Sequence, residues 1–275
     1  MSGSVRSLSA KIGVWPLKIK LTLFVMVIFA VSIGTLSIYV VRGLRFDFSK
    51  VITKEQTTTV SFVARTVDRE LALRIGALES LAPKAAILLA NDLQGLPAYL
   101  LDKPVATRIF TRDIYIVSKD GVRIAEAPLR GYVGKTYTDS AYIKEVLATG
   151  KPVVKPLIGG FARQPVLVVA VPVFAADGSV AAVLCGAELL SAGSFFHFVG
   201  EVHNGDTGGF DIISLKDNVY AASTDPLRVL KEVPPKGKNA LLDRRQQGYL
   251  EPSVITDAAG VRVLSTAART TVANW

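Results

Sequence analysis

The sequence predicts a mixed α/β protein in which an N-terminal transmembrane helix and a long stalk helix precede two small lobes built on antiparallel sheets. Three observations support this prediction. An uncharged apolar run of about twenty residues lies near the N-terminus, an amphipathic helical pattern follows it, and short β-rich segments then alternate with tight turns through the rest of the 275 residues.

The apolar run, 21–41, has the length of a membrane-spanning helix, because at about 1.5 Å rise per residue it covers roughly the 30 Å of a bilayer core. A cleaved signal peptide is the alternative, but the run is longer than a typical signal-peptide core and no small-x-small cleavage site follows it cleanly. The flank 1–20 contains no acidic residue, and its basic residues are Arg6, Lys11, Lys18 and Lys20. We therefore predict a single-pass protein of the cell inner membrane, with residues 1–20 in the cytoplasm and the remainder in the periplasm or outside the cell.

The positive charge of the chain is concentrated near this helix. Of the formal net charge of +9, the first 45 residues contribute +6, which leaves only +3 for the remainder. A nucleic-acid-binding surface would need basic residues clustered on the folded part, so no nucleic-acid partner is predicted. Cys185 is the single cysteine and cannot form an intrachain disulfide.

A helical pattern starts at Leu44, and with the segments after it predicts a helical region over 44–110. Charged residues fill the positions between its apolar ones, which leaves an apolar stripe on one face. That stripe fits a core helix of the following domain, or a stalk that also pairs with a second copy as a homodimer, and both interpretations stay open. Pro83 is expected to end or kink the helix. The stripe consists of Val60, Val63, Val67, Leu71, Ile75, Leu78 and Leu81.

The first lobe is predicted over 111–196. A strand, a tight turn at Lys119-Asp120-Gly121 and a return strand open it, and a short helix that Gly150 ends follows. Three apolar runs then cover 152–157, 166–174 and 179–190. Because these runs are nearly all Val, Ala and Leu, at least one face of their sheet must be covered, and the long helix is the expected cover.

The pattern partly repeats over 197–275, where we predict the second lobe. Lys216-Asp217-Asn218 stands in the β-rich segment 210–223 where Lys119-Asp120-Gly121 stood before, and 254–267 resembles the hairpin that closes the first lobe. Two tandem lobes explain this order better than one larger sheet.

The order of these elements, with the strings from Thr138 to Val154 and from Pro165 to Leu184, resembles the double Cache sensor domains of bacteria. The resemblance implies that each lobe is PAS-like, that the membrane-distal lobe, here 111–196, binds a small ligand, and that a second membrane helix leads to a cytoplasmic output. Such outputs are histidine kinases of two-component systems, diguanylate cyclases or chemoreceptor modules. Trp275 resembles the start of the final strand, so we expect a truncated second lobe.

Catalytic and metal-binding patterns are weak. Asp206-Thr207-Gly208 spells the aspartic-protease triplet, but it does not follow an apolar strand and has no second copy to supply the partner carboxylate. His197 and His203 do not form a metal-ligand pair at helical spacing, and Cys185 lies in an apolar strand. We therefore predict no metal, no cofactor and no catalytic activity in this chain.

The resemblance to a PAS-like lobe implies that the short helix and the strand after it line a ligand pocket, and polar and aromatic residues cluster there. Tyrosine hydroxyls with a Lys or Arg would suit a carboxylate or another small anion. The alternative is that these residues only border a solvated loop. Glu188 stands where the amino-acid-binding members of the family place an Asp, but of their Arg-x-Trp-Tyr string only Tyr142 matches, so amino-acid recognition is not expected. The candidate ligand-binding residues are Tyr137, Asp139, Tyr142, Lys155, Arg163 and Glu188.

The sequence therefore predicts a membrane-anchored extracytoplasmic sensory input domain that binds a small ligand and signals to an output outside this chain. A membrane-tethered periplasmic enzyme and a structural or interaction module that binds no ligand are the alternatives. Convergent catalytic groups would favour the enzyme, and the absence of any ligand-dependent rise in melting temperature would favour the structural module.

Overall fold

The computed structural model describes residues 16–159, 163–190, 196, 208–256 and 260–275. The chain divides into two compact units, Met1–Glu55 and Gln56–Trp275. Helix α1, Leu17–Asn91, begins in the first unit and ends in the second.

In the first unit, the segment Leu17–Val40 is by length and composition able to cross a membrane, and none of its most apolar stretch is buried. Two hydroxyls within it are satisfied by the helix itself, since Thr22 donates to the Lys18 carbonyl at 2.9 Å and Thr35 donates to the Val31 carbonyl at 2.8 Å. Such local bonds let polar side chains lie in an apolar helix at little cost.

Helix α1 continues past Pro83 to Asn91, so of the two expected outcomes, an end or a kink at the proline, the end does not occur. A proline inside a helix removes one backbone hydrogen bond. Here its neighbours Leu81, Ala82 and Ala85 are buried, and this packing holds the helix together on both sides of the proline. After it come a single 3-10 turn and the two short helices α2, Leu96–Leu101, and α3, Pro104–Ile109.

An antiparallel sheet of five strands forms the centre of the second unit, in the order β2-β1-β5-β4-β3. Helix α4, Ala141–Thr149, lies between β2 and β3 in the chain and ends at Gly150, whose φ of 62° is a left-handed conformation that glycine adopts without strain. The strands are β1 Asp113–Ser118, β2 Arg123–Ala127, β3 Val153–Ile158, β4 Pro165–Phe174 and β5 Val180–Leu189. The predicted antiparallel α/β fold is confirmed.

Both faces of this sheet are covered. The face toward α1 to α3 packs Leu184 and its neighbours against Leu78, Leu100 and Phe110. The opposite face packs Cys185 and its neighbours against Ile143 and Val146 of α4. Alternate residues of each strand therefore serve two separate cores, which explains why β4 and β5 are apolar at almost every position.

The described part of the region 208–275, which we call the second lobe, contains both predicted hairpins. Strands β6, Asp211–Ser214, and β7, Val219–Ser223, form one two-stranded sheet, and β8, Ser253–Thr256, and β9, Arg262–Ser265, form another. Helix α5, Ala240–Gln246, lies between them in the chain. We call the part formed by α4 and β1–β5 the first lobe. The boundary between the lobes at residue 196 stays a prediction.

Helix α1 also packs against the second lobe. Val67 and Leu71 are buried with Leu167, Ile212 and Trp275 in one apolar cluster, so these two residues of the predicted stripe are core residues and cannot also face a second copy. Beside them, the Asp68 carboxylate accepts hydrogen bonds of 2.8 to 2.9 Å from the Thr271 amide, the Thr271 hydroxyl and the Val272 amide.

Candidate ligand-binding site

A small cavity of about 40 Å³ lies between helix α4 and the sheet. Its walls come from every strand of the sheet, from the loop after β2 and from α4. The described residues that line it are Arg112, Asp113, Tyr115, Arg123, Tyr132, Tyr137, Tyr142, Leu157, Gly159, Val166, Val168 and Ala187. Polar groups and four tyrosine rings thus meet an apolar floor, which is the usual composition of a small-molecule site.

Arg123 is the central charge of this cavity. Its Nη2 lies 2.6 Å from Oδ2 of Asp113 and 2.8 Å from Oε2 of Glu126, and Nη1 donates to the Tyr137 hydroxyl at 3.1 Å. The guanidinium and both carboxylates are 2% exposed or less. Burial alone would lower the pKa of Arg123, but the charge of Asp113 and the hydrogen bonds to Asp113 and Tyr137 together outweigh burial and raise that pKa. Arg123 is therefore a fixed cation whose charge is already matched within the protein.

The tyrosines enclose this cation. The guanidinium carbon of Arg123 lies 4.1 Å from the ring centroid of Tyr115 and 5.4 Å from that of Tyr132, both within cation-π range. Tyr137 stacks on Tyr115 with ring centroids 5.6 Å apart, and the hydroxyls of Tyr115 and Tyr142 are 3.0 Å apart. Burial raises the pKa of Tyr115, Tyr137 and Tyr142, so all three present neutral hydroxyls.

Glu126 also organises the loop at the cavity. Its Oε1 accepts backbone hydrogen bonds from Arg130 at 2.6 Å, Gly131 at 2.7 Å and Tyr132 at 3.2 Å. Three successive amides around one carboxylate form a concave anion site that the protein fills with its own side chain. The carboxylate thereby holds the Tyr132 ring over Arg123.

Arg112 provides a second cation at the cavity. It is partly exposed, and its Nη1 donates to Oε1 of Gln164 at 2.8 Å. Arg130 donates to the Arg112 carbonyl at 2.6 Å, which holds the Arg112 backbone in place. Among the described residues that line the cavity, Arg112 is the cation without a carboxylate partner in the structure.

Two of the six residues expected at a ligand site, Tyr137 and Tyr142, line the cavity. Asp139 and Arg163 are exposed and do not line it. Lys155 and Glu188 are committed to other partners, Asp217 and Arg74, each at 2.8 Å. Glu188 lies on the α1 side of β5, because its neighbour Ala187 faces the cavity and successive residues of a strand point to opposite faces.

Four cavity residues were not predicted from the sequence, namely Arg112, Asp113, Tyr115 and Arg123. A signal for three of them was present, since Asp113 and Tyr115 alternate on one face of a buried strand and Arg123 is a charged residue at the start of the strand that pairs with it. His197, His203 and Asp206, which were considered as metal or catalytic residues, lie outside the described residues. Within the described residues, three or more His, Cys, Asp or Glu side chains do not come together as a metal site.

No family model and no curated protein matches the sequence. The structure matches the ligand-binding domain of the Pseudomonas aeruginosa PAO1 amino acid chemoreceptor PctC in complex with GABA, with 20% identity, coverage of 74% of this chain and 87% of that chain, and a TM-score of 0.58. The V. cholerae histidine kinase DctB sensor domain matches with 17% identity, 74% and 78% coverage, and a TM-score of 0.54.

A third structure, the ligand-binding domain of the Pseudomonas fluorescens chemoreceptor CtaA in complex with L-isoleucine, matches with 18% identity, 68% and 75% coverage, and a TM-score of 0.53. At these identities the likeness shows the fold. The fold expected from the sequence is therefore confirmed, since the chain shares it with these ligand-binding and sensor domains.

Proposed function

We propose that the chain is the membrane-anchored extracytoplasmic input module of a bacterial signalling protein, and that it binds a small ligand between helix α4 and the sheet of the first lobe. The observation that carries this proposal is the cavity in which Arg112, Arg123 and four tyrosines converge. The matched domains of PctC and CtaA hold GABA and L-isoleucine, which supports a small polar ligand here as well. The module itself has no catalytic step.

The charges of the cavity indicate how such a ligand would be oriented. Asp113 lines the cavity beside Arg123, and Glu126 contacts the same guanidinium. Among the described residues two carboxylates thus face this one cation, so a carboxylate of the ligand placed there would meet more negative than positive charge. Arg112 lies at the cavity without a carboxylate partner among the described residues, and a guanidinium binds a carboxylate through two parallel hydrogen bonds. We infer that an anionic group of the ligand contacts Arg112, which replaces Lys155 and Arg163 in the expected role.

The volume of the cavity limits the size of the ligand that can bind without a change of conformation. About 40 Å³ accommodates a few water molecules, whereas sites for drug-sized ligands measure roughly 300–1,000 Å³. A ligand of amino-acid size therefore requires α4 or the loop of Tyr132 to move away from the sheet. Binding would select that more open state, and the differential affinity for the two states would be the source of the signal.

A melting-temperature screen of the full chain in detergent tests this proposal. The panel holds small monocarboxylates, dicarboxylates and amino acids, including GABA and isoleucine. A ligand present at 100 times its Kd stabilises the folded state by about 2.7 kcal/mol, which raises the melting temperature by a few degrees. We expect Arg112→Ala to lose most of that shift.

Arg163→Ala is the matched control, because Arg163 is exposed and lies outside the cavity lining. It should keep the full shift. Equal shifts in both variants would remove Arg112 from the site, and a panel without any stabilising compound would count against ligand binding in this lobe.

Signalling requires that the chain spans the membrane and that the conformational change of the input module reaches a cytoplasmic output module. We propose that Leu17–Val40 spans the inner membrane with the N-terminus in the cytoplasm, and that a kinase, cyclase or chemoreceptor module receives the signal. We also propose a homodimer through helix α1. Its exposed apolar residues Phe62, Leu73 and Ile87 lie 11 and 14 positions apart and so share one face of the helix.

A further inference from the structure

Two adjacent residues of opposite charge in the β6–β7 turn contact the first lobe. Lys216 pairs with Glu145 of α4, and Oδ1 of Asp217 lies 2.8 Å from Nζ of Lys155 on β3. Asp217 and Lys155 are partly buried, with side chains 11% and 28% exposed. One turn of the second lobe therefore holds both a helix and a strand of the first.

The turn is internally fixed. Oδ2 of Asp217 accepts a hydrogen bond of 2.7 Å from the Ser214 hydroxyl, and the Asn218 carbonyl accepts one of 3.0 Å from the Val233 amide. Asn218 has φ of 56°, the left-handed conformation that asparagine tolerates in turns. Because of these bonds, Lys216 and Asp217 are displaced together when either is displaced.

Both partners of the turn lie on elements that form walls of the cavity. Glu145 lies one helical turn after Tyr142 on α4, and Lys155 lies two positions before Leu157 on the same face of β3. Tyr142 and Leu157 both line the cavity. The two ion pairs therefore bridge the helix to the strand on the second-lobe side of the cavity.

We propose that Lys216 and Asp217 form a charge clasp through which the second lobe controls the opening of the first-lobe cavity. When α4 moves away from the sheet, Lys155 keeps the turn on β3 and the contact between Lys216 and Glu145 is stretched. The cavity thus opens only when the ion pair between Lys216 and Glu145 breaks. This inference goes beyond the proposed function, because it applies to the cavity with any ligand or with none.

The first lobe supplies a natural comparison. Lys119 and Asp120 occupy the corresponding positions in the β1–β2 turn, are exposed and make no ion pair with any residue that the structure describes. The same Lys-Asp dipeptide therefore occurs once in a solvated turn and once in the charge clasp. Identical substitutions at the two places show whether an effect on cavity opening comes from the ion pairs or only from the change in charge.

The native Cys185 can be used to measure the opening of the cavity, so no cysteine has to be introduced for labelling. It is the single cysteine of the chain, it is fully buried, and it packs beneath α4 in the cluster that contains Tyr142 and Ile143. A thiol reagent reaches it when α4 separates from the sheet, so the labelling rate of the folded full chain measures the population of the opened state.

Lys216→Gln and Asp217→Asn should each increase the labelling rate on the order of threefold, as expected for ion pairs of this exposure. Asn at 217 keeps an acceptor for the Ser214 hydroxyl, so the turn itself is preserved. Lys119→Gln and Asp120→Asn are the matched controls and should leave the rate unchanged. Melting temperatures recorded in parallel separate local opening from global unfolding.

The exchange Glu145→Lys with Lys216→Glu provides the decisive test. Each single reversal should label fastest of all, and the double variant should return toward the rate of the parent chain. Labelling of the clasp variants at the rate of the turn controls, or a double variant as fast as the single reversals, would overturn the clasp. Either result leaves ligand binding at Arg112 untouched, because the melting screen tests that separately.

Discussion

Glu188 of strand β5 accepts a hydrogen bond of 2.8 Å from Nε of Arg74 of helix α1, and the two side chains are 4% and 7% exposed. Arg74 also contacts Glu70 one helical turn earlier at 2.8 Å. The strand that contributes Ala187 to the cavity is thereby joined to the long helix through a buried charge pair.

We predict that Arg74→Met or Glu188→Leu alone lowers the free energy of unfolding by about 3–5 kcal/mol, since each removes the opposite charge that lies 2.8 Å from a buried charged group. The double variant should cost less than the sum of the two, because the attraction between Arg74 and Glu188 can be lost only once. Denaturant unfolding of the full chain measures all three. Additive losses would show that the pair contributes nothing specific.

Cys185 should make stability fall with rising pH. Burial raises the pKa of its thiol in the folded chain, so the native state keeps a proton that the unfolded state loses above about pH 8.5. The contribution is fully present below that pH, and stability then falls by about 1.4 kcal/mol per pH unit as pH rises toward the folded-state pKa.

Cys185→Ala should therefore show a weaker decline than the parent between pH 8.5 and 10 in urea unfolding, whatever its stability at pH 7. Buried tyrosines also contribute to the decline as pH approaches their ordinary pKa of about 10, but they are present in both proteins, so the difference between the two curves reports on the thiol. Parallel curves for the two proteins would argue against a buried neutral thiol.

Gly186 is predicted to be intolerant of any side chain. A Cβ built there would lie 2.5 Å from Cδ1 and Cε1 of Phe110, which itself is buried. We expect Gly186→Ala to cost about 1–3 kcal/mol through this overlap, visible as a lower melting temperature. Gly76→Ala on the exposed face of α1 is the control, since nothing lies within 4 Å of its Cβ position. That variant should be neutral or stabilising, because alanine favours the helix.

The proposed dimer predicts a pattern of disulfide crosslinks along α1. In a Cys185→Ser background, Leu73→Cys and Ile87→Cys should crosslink readily, because both residues are exposed on one face. Val67→Cys and Leu71→Cys should not, since the fold of one chain buries both positions. Equal crosslinking at all four positions would exclude a dimer through the exposed face.

The proposed orientation predicts that a reporter joined after Trp275 lies outside the cytoplasm. An alkaline phosphatase fusion at that point should be active, because the basic flank before the apolar segment stays in the cytoplasm. A fluorescent reporter that matures only in the cytoplasm is the complementary control. An inactive phosphatase together with a bright cytoplasmic reporter would reverse the orientation.

Local sequence patterns predicted most of the fold. The apolar run of β4, the turn at Asp177 and Gly178 and the apolar run of β5 specify a hairpin without tertiary information. The local pattern left open whether Pro83 ends or kinks α1, because the burial of Ala85 against the sheet is a long-range contact that the local proline rule does not contain.

The site was less predictable than the fold. Tyr137 and Tyr142 were found because polar and aromatic residues cluster at the short helix, where the resemblance to a PAS-like lobe places the pocket. Arg123 was overlooked because a charged residue in a short strand normally marks a solvated face. Lys155 was expected to face a ligand, and its engagement by Asp217 depends on how two distant segments pack, which no local pattern encodes.

The three hydrogen bonds that Asp68 accepts from Thr271 and Val272 constrain how motion passes along the molecule. They hold the C-terminal residues of the described chain at one position along the axis of α1, and the burial of Trp275 nearby strengthens that attachment. Sliding of α1 past this segment would break all three bonds at once, whereas tilting or rotating the two together would break none. Any residues that follow Trp275 would therefore start from a point that moves together with α1 when the helix tilts or rotates.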